Sequence, residues 1–199
     1  IGDLFDVTVM PVVGEVTYAR GKHDDPNSGM WSYADRSKEV ARPGYYSVPV
    51  MRYNVLAEMT ATSRVGYHRY TFPSSDQAAI VIDLQNGGCW DRVIKSEMRV
   101  EGNNRIVGER HSSGWARRQS VYFVAEFSKP FDTFEVKNTH YGRANFSTKE
   151  GEKIMMKIAI SPVSIEGAKA NLASELPKWP KLESVVAKGG GRYAYIEGY

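Results

Sequence analysis

The chain has 199 residues, of which 42% are apolar and 12% aromatic, enough to bury the core of one domain. Its 26 basic and 23 acidic side chains leave a formal net charge of +3, and the densest basic group, Arg110, His111, Arg117 and Arg118, is too small to predict nucleic-acid binding. The single cysteine, Cys89, excludes an internal disulfide and a cysteine-based zinc site, and no apolar run approaches the roughly 20 residues of a membrane-spanning helix.

Strand-like segments follow one another along most of the chain. The polar run Asp24-Asp25-Pro26-Asn27 predicts a turn, Pro73-Ser74-Ser75-Asp76 predicts a break between strands, and Gly102-Asn103-Asn104 suits a short hairpin connection. The predicted strands are Phe5–Val13, Tyr45–Val50, Asn54–Ala61, Arg64–Phe72, Ala78–Leu84, Ser96–Glu101, Arg105–Arg110, Ser120–Phe127, Phe131–Lys137 and Lys153–Ser161.

The last of these segments has the clearest strand period. Ile154, Met156, Ile158 and Ile160 alternate with a mixed set that includes Lys157, which predicts a strand with one buried face. About ten short strands, with almost no helical pattern between them, favour a mainly β fold built as an antiparallel β-sandwich over a parallel α/β sheet.

The period changes after Pro162. Ser164 suits an N-cap, and apolar residues at helical spacing predict a helix over Ile165–Glu175 that ends before Pro177. Pro180 starts a second helical pattern that ends at the glycine triplet beginning at Gly189. We therefore divide the chain into a β-sandwich domain (residues 1–161), a short C-terminal helical connector (162–188) and an unassigned tail (189–199).

Candidate chemistry is sparse. The four histidines show no metal-ligand spacing, and Asp24-Asp25 are interpreted as turn formers because adjacent carboxylates diverge. A Ser-His-Asp triad assembled from distant residues stays open, but no Gly-x-Ser-x-Gly elbow supports it. No catalytic residue and no metal ligand is therefore predicted in this chain.

The tryptophans offer a binding function. Trp31 and Trp115 occur in Gly/Ser-rich contexts typical of loops, where an indole ring could stack on a sugar. The alternative is that each ring covers an edge of the sandwich. In ATSRVGYHRYTF (residues 61–72), strand alternation places His68 with Tyr70 and Phe72 on one face, and Arg69 on the other. We interpret His68 and Arg69 as hydrogen-bonded between layers, with substrate contact by His68 as the alternative.

Four long segments, in order, carry a resemblance to a known family. They are GDLFDVTVMPVVG (2–14), ARPGYYSVPVMRYNVLAEMTATSRVGYHRYTFP (41–73), SSGWARRQSVYFVAEFSKPF (112–131) and KIAISPVSIEGAKANLASELPKW (157–179). Together they resemble the N-terminal domain of glycoside hydrolase family 92, the exo-acting α-mannosidases, over nearly the whole chain.

The resemblance implies a β-sandwich joined by helices to a C-terminal (α/α)₆ barrel. The family hydrolyses terminal α-mannosidic bonds with inversion, using a glutamic acid, an aspartate that activates water, and Ca²⁺, and these groups lie mainly in the barrel. We therefore expect no cofactor in this chain, Ca²⁺ in the missing catalytic domain, and mannose-containing glycans as substrates of the intact enzyme. Asp3, Trp31, His68 and Trp115 are the candidate substrate contacts.

The resemblance also has implications for the two ends of the chain and for its location in the cell. The family's domain begins upstream of Gly2 with segments that line the sugar site, so we expect the chain, which starts at Ile1 without a visible signal peptide, to be cut or processed. Family members are usually periplasmic or secreted, and we expect the same here. The tail GGGRYAYIEGY resembles a barrel segment only in part, with Tyr199 in place of Asn, and we interpret Glu197 as a coincidence.

Overall fold

The chain folds into two antiparallel sheets and two helices in the computed structural model, which describes residues 6–85, 91–114 and 116–189. The candidates Asp3 and Trp115, together with Cys89 and Glu197, lie outside the described residues. The strands are β1 (Thr8–Val13), β2 (Val40–Arg42), β3 (Tyr45–Val50), β4 (Val55–Ala61), β5 (Val65–Phe72), β6 (Ser75–Asp83), β7 (Arg92–Glu101), β8 (Arg105–Ser113), β9 (Gln119–Phe127), β10 (Thr133–Lys137), β11 (Tyr141–Thr148) and β12 (Glu152–Ser161), followed by the helices α1 (Ile165–Glu175) and α2 (Leu182–Gly189).

The two sheets differ in width. The smaller sheet has the strand order β1-β6-β11-β10, and the larger has the order β2-β3-β4-β5-β12-β9-β8-β7. Every pairing between these strands is antiparallel. The predicted mainly β antiparallel sandwich is therefore confirmed.

The main core lies between the sheets. Strand alternation turns large side chains of the larger sheet toward the smaller one, including Tyr70, Phe72, Phe123, Phe127 and Ile154, and all of these are buried. Aromatic rings and a larger number of aliphatic side chains from both inner faces together fill this layer, which is about 10 Å thick in such sandwiches.

A second core lies on the outer face of the larger sheet. Val65, Tyr67 and Val124 pack there against Leu172 of α1 and Leu182 of α2. The expectation that β12 has only one buried face is therefore wrong, since its second face also lies beneath the helices. Lys157, on that second face, is only 2% exposed.

The helical connector forms as predicted for α1. The Ser164 hydroxyl accepts a hydrogen bond from the Gly167 N–H at 3.0 Å, and the helix spans Ile165–Glu175. The strands of the sandwich end at Ser161, and α2 begins at Leu182, two residues after Pro180. No helix among the described residues is long and apolar enough to span a membrane.

Several strand bounds differ from the predictions. Residues 75–77 belong to β6 rather than to a break, because Ser75 pairs with Thr148 of β11. Neither β11 nor β2 was predicted. β11 contains Gly142 and Asn145, which are depleted in strands, and it is held by long-range pairing with β6 and β10 that no local pattern reveals. The predicted turn at Asp25 is confirmed, since its carboxylate accepts from the Asn27 N–H.

Candidate functional site

The two described candidate residues do not come together. Trp31 lies beside the 3₁₀ turn Met51–Tyr53, at the end of the larger sheet where β3 meets β4. His68 lies inside β5, where it pairs with Met59 and Met156 on the neighbouring strands. A single pocket formed by both side chains is therefore not present in the described structure.

Trp31 belongs to a loop fixed by one guanidinium group. Arg52 donates hydrogen bonds to the carbonyl oxygens of Asn27, Ser28, Gly29 and Trp31 at 3.0–3.2 Å. The indole ring of Trp31 meets the ring of Tyr33 edge-on, with centroids 4.3 Å apart, and Tyr33 is 51% exposed. The loop thus presents an exposed aromatic side chain on a rigid support.

His68 has contacts typical of a structural residue. Its Nδ1 lies 2.7 Å from the hydroxyl of Tyr70, two residues along the same strand and therefore on the same face. Burial lowers the pKa of His68 to about 4, so the imidazole is neutral at neutral pH. The predicted bond between layers is wrong for His68 and confirmed for Arg69, which pairs with Glu183 of α2 as well as with Glu58 on the neighbouring strand β4.

A buried ion cluster lies at the other end of the strands. The Arg110 guanidinium, with no exposed side-chain surface, donates to Asp6 Oδ1 at 2.6 Å, to both carboxylate oxygens of Asp91 at 2.7 and 2.9 Å, and to the Leu84 carbonyl oxygen at 2.8 Å. Gln119 donates to the second oxygen of Asp6 at 2.5 Å. We call these five residues the Arg110 cluster.

The two carboxylates of the Arg110 cluster differ electrostatically. Burial raises the pKa of Asp6 even though Arg110 and Gln119 act to lower it, whereas the hydrogen bonds from Arg110 keep the pKa of Asp91 below its ordinary value. Burial acts to lower the pKa of Arg110, but its bonds to Asp91 and Asp6 outweigh this effect and raise it. The arginine stays charged and holds its partners in place rather than exchanging protons.

The Arg110 cluster gathers residues that flank the undescribed segments. Asp6 follows residues 1–5, which include the candidate Asp3, and Leu84 and Asp91 stand on either side of residues 86–90. Gln119 is four residues after the candidate Trp115. The Arg110 guanidinium therefore bonds directly to residues near two undescribed segments, 1–5 and 86–90, and reaches Gln119 through Asp6.

Sequence reasoning missed this cluster. Arg110 was noted only as part of a basic group, and its partners Asp6 and Asp91 are 104 and 19 residues away. One signal was available: strand alternation places Arg110 on the same face as Ile106, and a charged side chain on an apolar face needs a buried partner.

The described residues contain no group of three or more His, Cys, Asp or Glu side chains that could hold a metal ion. Three of their carboxylates, those of Asp6, Glu58 and Asp91, accept hydrogen bonds from arginines, and the buried carboxylate of Asp83 accepts from the Gln85 N–H.

The sequence of the chain matches a known protein family. Residues 1–161 match the profile of the glycosyl hydrolase family 92 N-terminal domain. The chain belongs to glycosyl hydrolase family 92. No curated protein sequence matches this family 92 domain.

Solved structures agree with this membership. The family GH92 α-mannosidase BT3965 from Bacteroides thetaiotaomicron superposes with a TM-score of 0.84 and 33% identity over 93% of this chain, and its complex with mannoimidazole gives the same values. The family GH92 inverting mannosidase BT2199 from the same species, at 22% identity and a TM-score of 0.72, shares the fold. This family 92 domain spans 27% of the first of these structures and 25% of the second, about a quarter of each.

Proposed function

We propose that this chain is the N-terminal β-sandwich of an exo-acting α-mannosidase that removes terminal α-linked mannose from glycans. The support is the family profile over residues 1–161 together with the 33% identity to a family GH92 α-mannosidase over 93% of the chain. We further propose that the intact enzyme works with inversion and depends on Ca²⁺. Periplasmic or secreted location belongs to the same proposal.

The domain's role, in this proposal, is to pack on an (α/α)₆ catalytic barrel and to help wall its sugar pocket. The observation that carries this role is the end of the sandwich at the Arg110 cluster. Three apolar side chains at that end are exposed, Ile94 by 60%, Ile160 by 45% and Val163 by 76%. Exposed apolar side chains toward the same end of the larger sheet as the buried ion cluster suit a surface that another domain covers.

The chemistry would then be divided between the two domains. Inversion needs two carboxyl groups roughly 6.5–9.5 Å apart, with room for a water molecule between one of them and the sugar. The support within the described residues is that Asp6, Glu58 and Asp91 are paired with arginines and that no group of three or more His, Cys, Asp or Glu side chains could hold a metal ion. The general acid, the base and the Ca²⁺ would all be supplied by the barrel.

Mannose release tests this proposal. The 199-residue chain should release no mannose from α-linked mannosides, whereas the full polypeptide encoded with it should release mannose, lose that activity with a chelator and regain it with Ca²⁺. The first product seen by NMR should be the β-anomer, as inversion requires. Mannose release by the isolated chain would contradict the proposal, and an α-anomer product would contradict inversion.

The role of the Arg110 end can be tested within the full polypeptide. Arg110→Met leaves Asp6 and Asp91 without their cation, and we expect kcat/KM for mannosides to fall by about tenfold or more because the pocket wall is displaced. Arg52→Met, which loosens the Trp31 loop at the opposite end, is the matched control and should have a much smaller effect. Equal losses in the two variants would argue against the pocket-wall role.

A second candidate function is carbohydrate binding by the sandwich itself. It is favoured by the exposed ring of Tyr33, held edge-on against Trp31 in a loop that Arg52 fixes. Calorimetric titration of the chain with mannose oligosaccharides, repeated with Tyr33→Ala and Trp31→Ala, distinguishes the cases. Binding lost in both variants would favour this function, and no binding would leave a pocket-wall or purely structural role for the domain.

A further inference from the structure

A buried cation lies where the connector crosses the larger sheet. The Lys157 ammonium on β12, 2% exposed, is 2.8 Å from Glu126 Oε1 on the neighbouring strand β9. It donates to the Leu176 carbonyl oxygen at 3.3 Å and lies 4.1 Å from the centroid of the Trp179 ring. Two of its three partners therefore belong to the segment between α1 and α2.

These contacts make the stability of the buried ammonium depend on the position of the connector. A buried ammonium is stable only when its charge is balanced and its donors are used, and a desolvated cation over an indole face is among the stronger cation–π arrangements. Glu126 balances the charge, and burial acts to raise its pKa, but hydrogen bonds from Lys157 and Arg105 hold the pKa below its ordinary value. The carboxylate thus stays ionised beneath the connector.

Tyr67 supplies a second contact to the same segment. Its ring is fully buried in the outer core, and its hydroxyl donates to the Pro180 carbonyl oxygen at 2.6 Å. The ring centroids of Tyr67 and Trp179 are 6.2 Å apart. Because Pro177 and Pro180 have fixed φ angles, little further backbone freedom is lost when the segment is held.

Charged contacts also fix both ends of the segment. Glu175, the last residue of α1, accepts from the Arg64 guanidinium at 2.6 Å, and Glu183, in the first turn of α2, pairs with Arg69 at 2.8 Å. Beside them an open groove of about 430 Å³ separates the β4–β5 turn from the connector. Apolar packing of Leu182 on the outer core holds the connector against the sheet, and the polar contacts beside the groove add directional restraints to it.

We propose that Lys157 and Tyr67 are positioning residues that make residues 175–185 a rigid joint. This joint fixes the direction in which the chain leaves the sandwich, so that the connector does not act as a flexible tether. The joint consists of described residues alone and does not depend on whether a catalytic barrel follows.

Hydrogen–deuterium exchange on the 199-residue chain tests the joint. In the wild type we expect the amides of residues 184–186, which are hydrogen-bonded in the first turns of α2, to exchange slowly. Lys157→Met should speed their exchange by about tenfold or more, and Tyr67→Phe, which keeps the ring, by about fivefold, while amides of β6 remain protected. Lys157→Arg, which keeps the charge, should restore part of the protection.

The control is Lys129→Met, which removes a cation paired with Glu152 on the same sheet but away from the connector. It should leave amide exchange at residues 184–186 unchanged. Fast exchange there in the wild type, or an unchanged rate in Tyr67→Phe, would overturn the proposal. If Lys157→Met also exposes β6 and so unfolds the whole domain, the result for Tyr67→Phe alone decides.

Discussion

At the scale of single residues, the stability of this domain depends on whether each buried polar group has a partner. Arg110 and Lys157 are almost fully buried, and each is bonded to a carboxylate and a backbone carbonyl. The hydroxyl of Tyr53 is an exception, since it is buried and has no hydrogen-bond partner among the described residues. Such a group loses its hydrogen bonds to water when the protein folds and forms none within the protein, which lowers the free energy of unfolding.

The first prediction concerns this hydroxyl. Tyr53→Phe should leave the free energy of unfolding unchanged or raise it by up to about 1 kcal/mol, because it removes an unpaired buried group and keeps the ring. Tyr70→Phe is the matched control, since its hydroxyl is bonded to His68, and it should lower the free energy by about 1 kcal/mol. Urea unfolding measures both, and a loss in Tyr53→Phe as large as in Tyr70→Phe would contradict the argument.

The second prediction concerns acid. Hydrogen bonds from Arg69, together with one from Tyr45, hold the pKa of Glu58 below its ordinary value of 4.5 despite burial. A lowered pKa contributes stability above the unfolded-state value, and this contribution is lost as the pH falls below about 4.5 through the folded-state value.

Melting temperatures measured above and below about pH 4.5 test whether Glu58 contributes to the loss of stability in acid. The wild type should lose stability as acid is added, and Glu58→Gln, already less stable at neutral pH, should lose less over the same range. Parallel curves for the two proteins would show that Glu58 does not contribute to the acid sensitivity.

At the scale of elements, close approach between strands requires glycine at Gly108 of β8. A Cβ atom built there would lie 2.4 Å from the Glu97 carbonyl oxygen and 2.6 Å from a ring carbon of Phe123. Contacts this short cannot persist, and one of the two atoms is backbone, which cannot move without disturbing the β7–β8 pairing.

We therefore expect Gly108→Ala to lower the free energy of unfolding by about 1–3 kcal/mol. Gly66→Ala is the matched control on β5. Its nearest neighbours, at 3.1 Å, are the side chains of His68 and Ile158, which can shift by a few tenths of an ångström. Similar stabilities of the two variants in thermal unfolding would contradict this explanation.

Elements with local signals were predictable, and those defined by distant partners were not. Ser164 and Pro177 mark both ends of α1, and β3 has its predicted bounds, Tyr45–Val50. In contrast, β11 depends on pairing with a strand more than 50 residues earlier. The Arg110 cluster was missed for the same reason, because its members come from four separate parts of the chain, whereas the family itself was recognisable from long contiguous segments.

At the scale of the whole molecule, the domain has three layers, the smaller sheet, the larger sheet and the two helices. The family profile ends at residue 161, just before the helices begin. Yet Val65, Tyr67, Val107, Val124 and Ala159 on the outer face of the larger sheet are almost fully buried, in a core completed by the helices. The sandwich and the connector therefore share one hydrophobic core.

It follows that a chain cut after Ser161 should be markedly less stable or insoluble. Removal of the helices exposes this apolar face and leaves Lys157 without the Leu176 carbonyl and the Trp179 ring. Comparison of residues 1–161 with residues 1–189 by solubility and thermal unfolding checks this expectation. Equal melting temperatures for the two chains would show that the helices contribute little to the stability of the domain.

The position of β12 in the larger sheet has a consequence for how the protein folds during its synthesis on the ribosome. β2 to β5 form one hairpin series and β7 to β9 another, and β12 lies between β5 and β9 and joins the two. The two series cannot pair with each other through β12 until Ser161 has been synthesised. The free edge of β5 therefore stays unpaired until a strand some 80 residues later in the chain has been translated. During that interval the edges of β5 and β9 that later pair with β12 have no strand beside them, which leaves them open to non-native pairing.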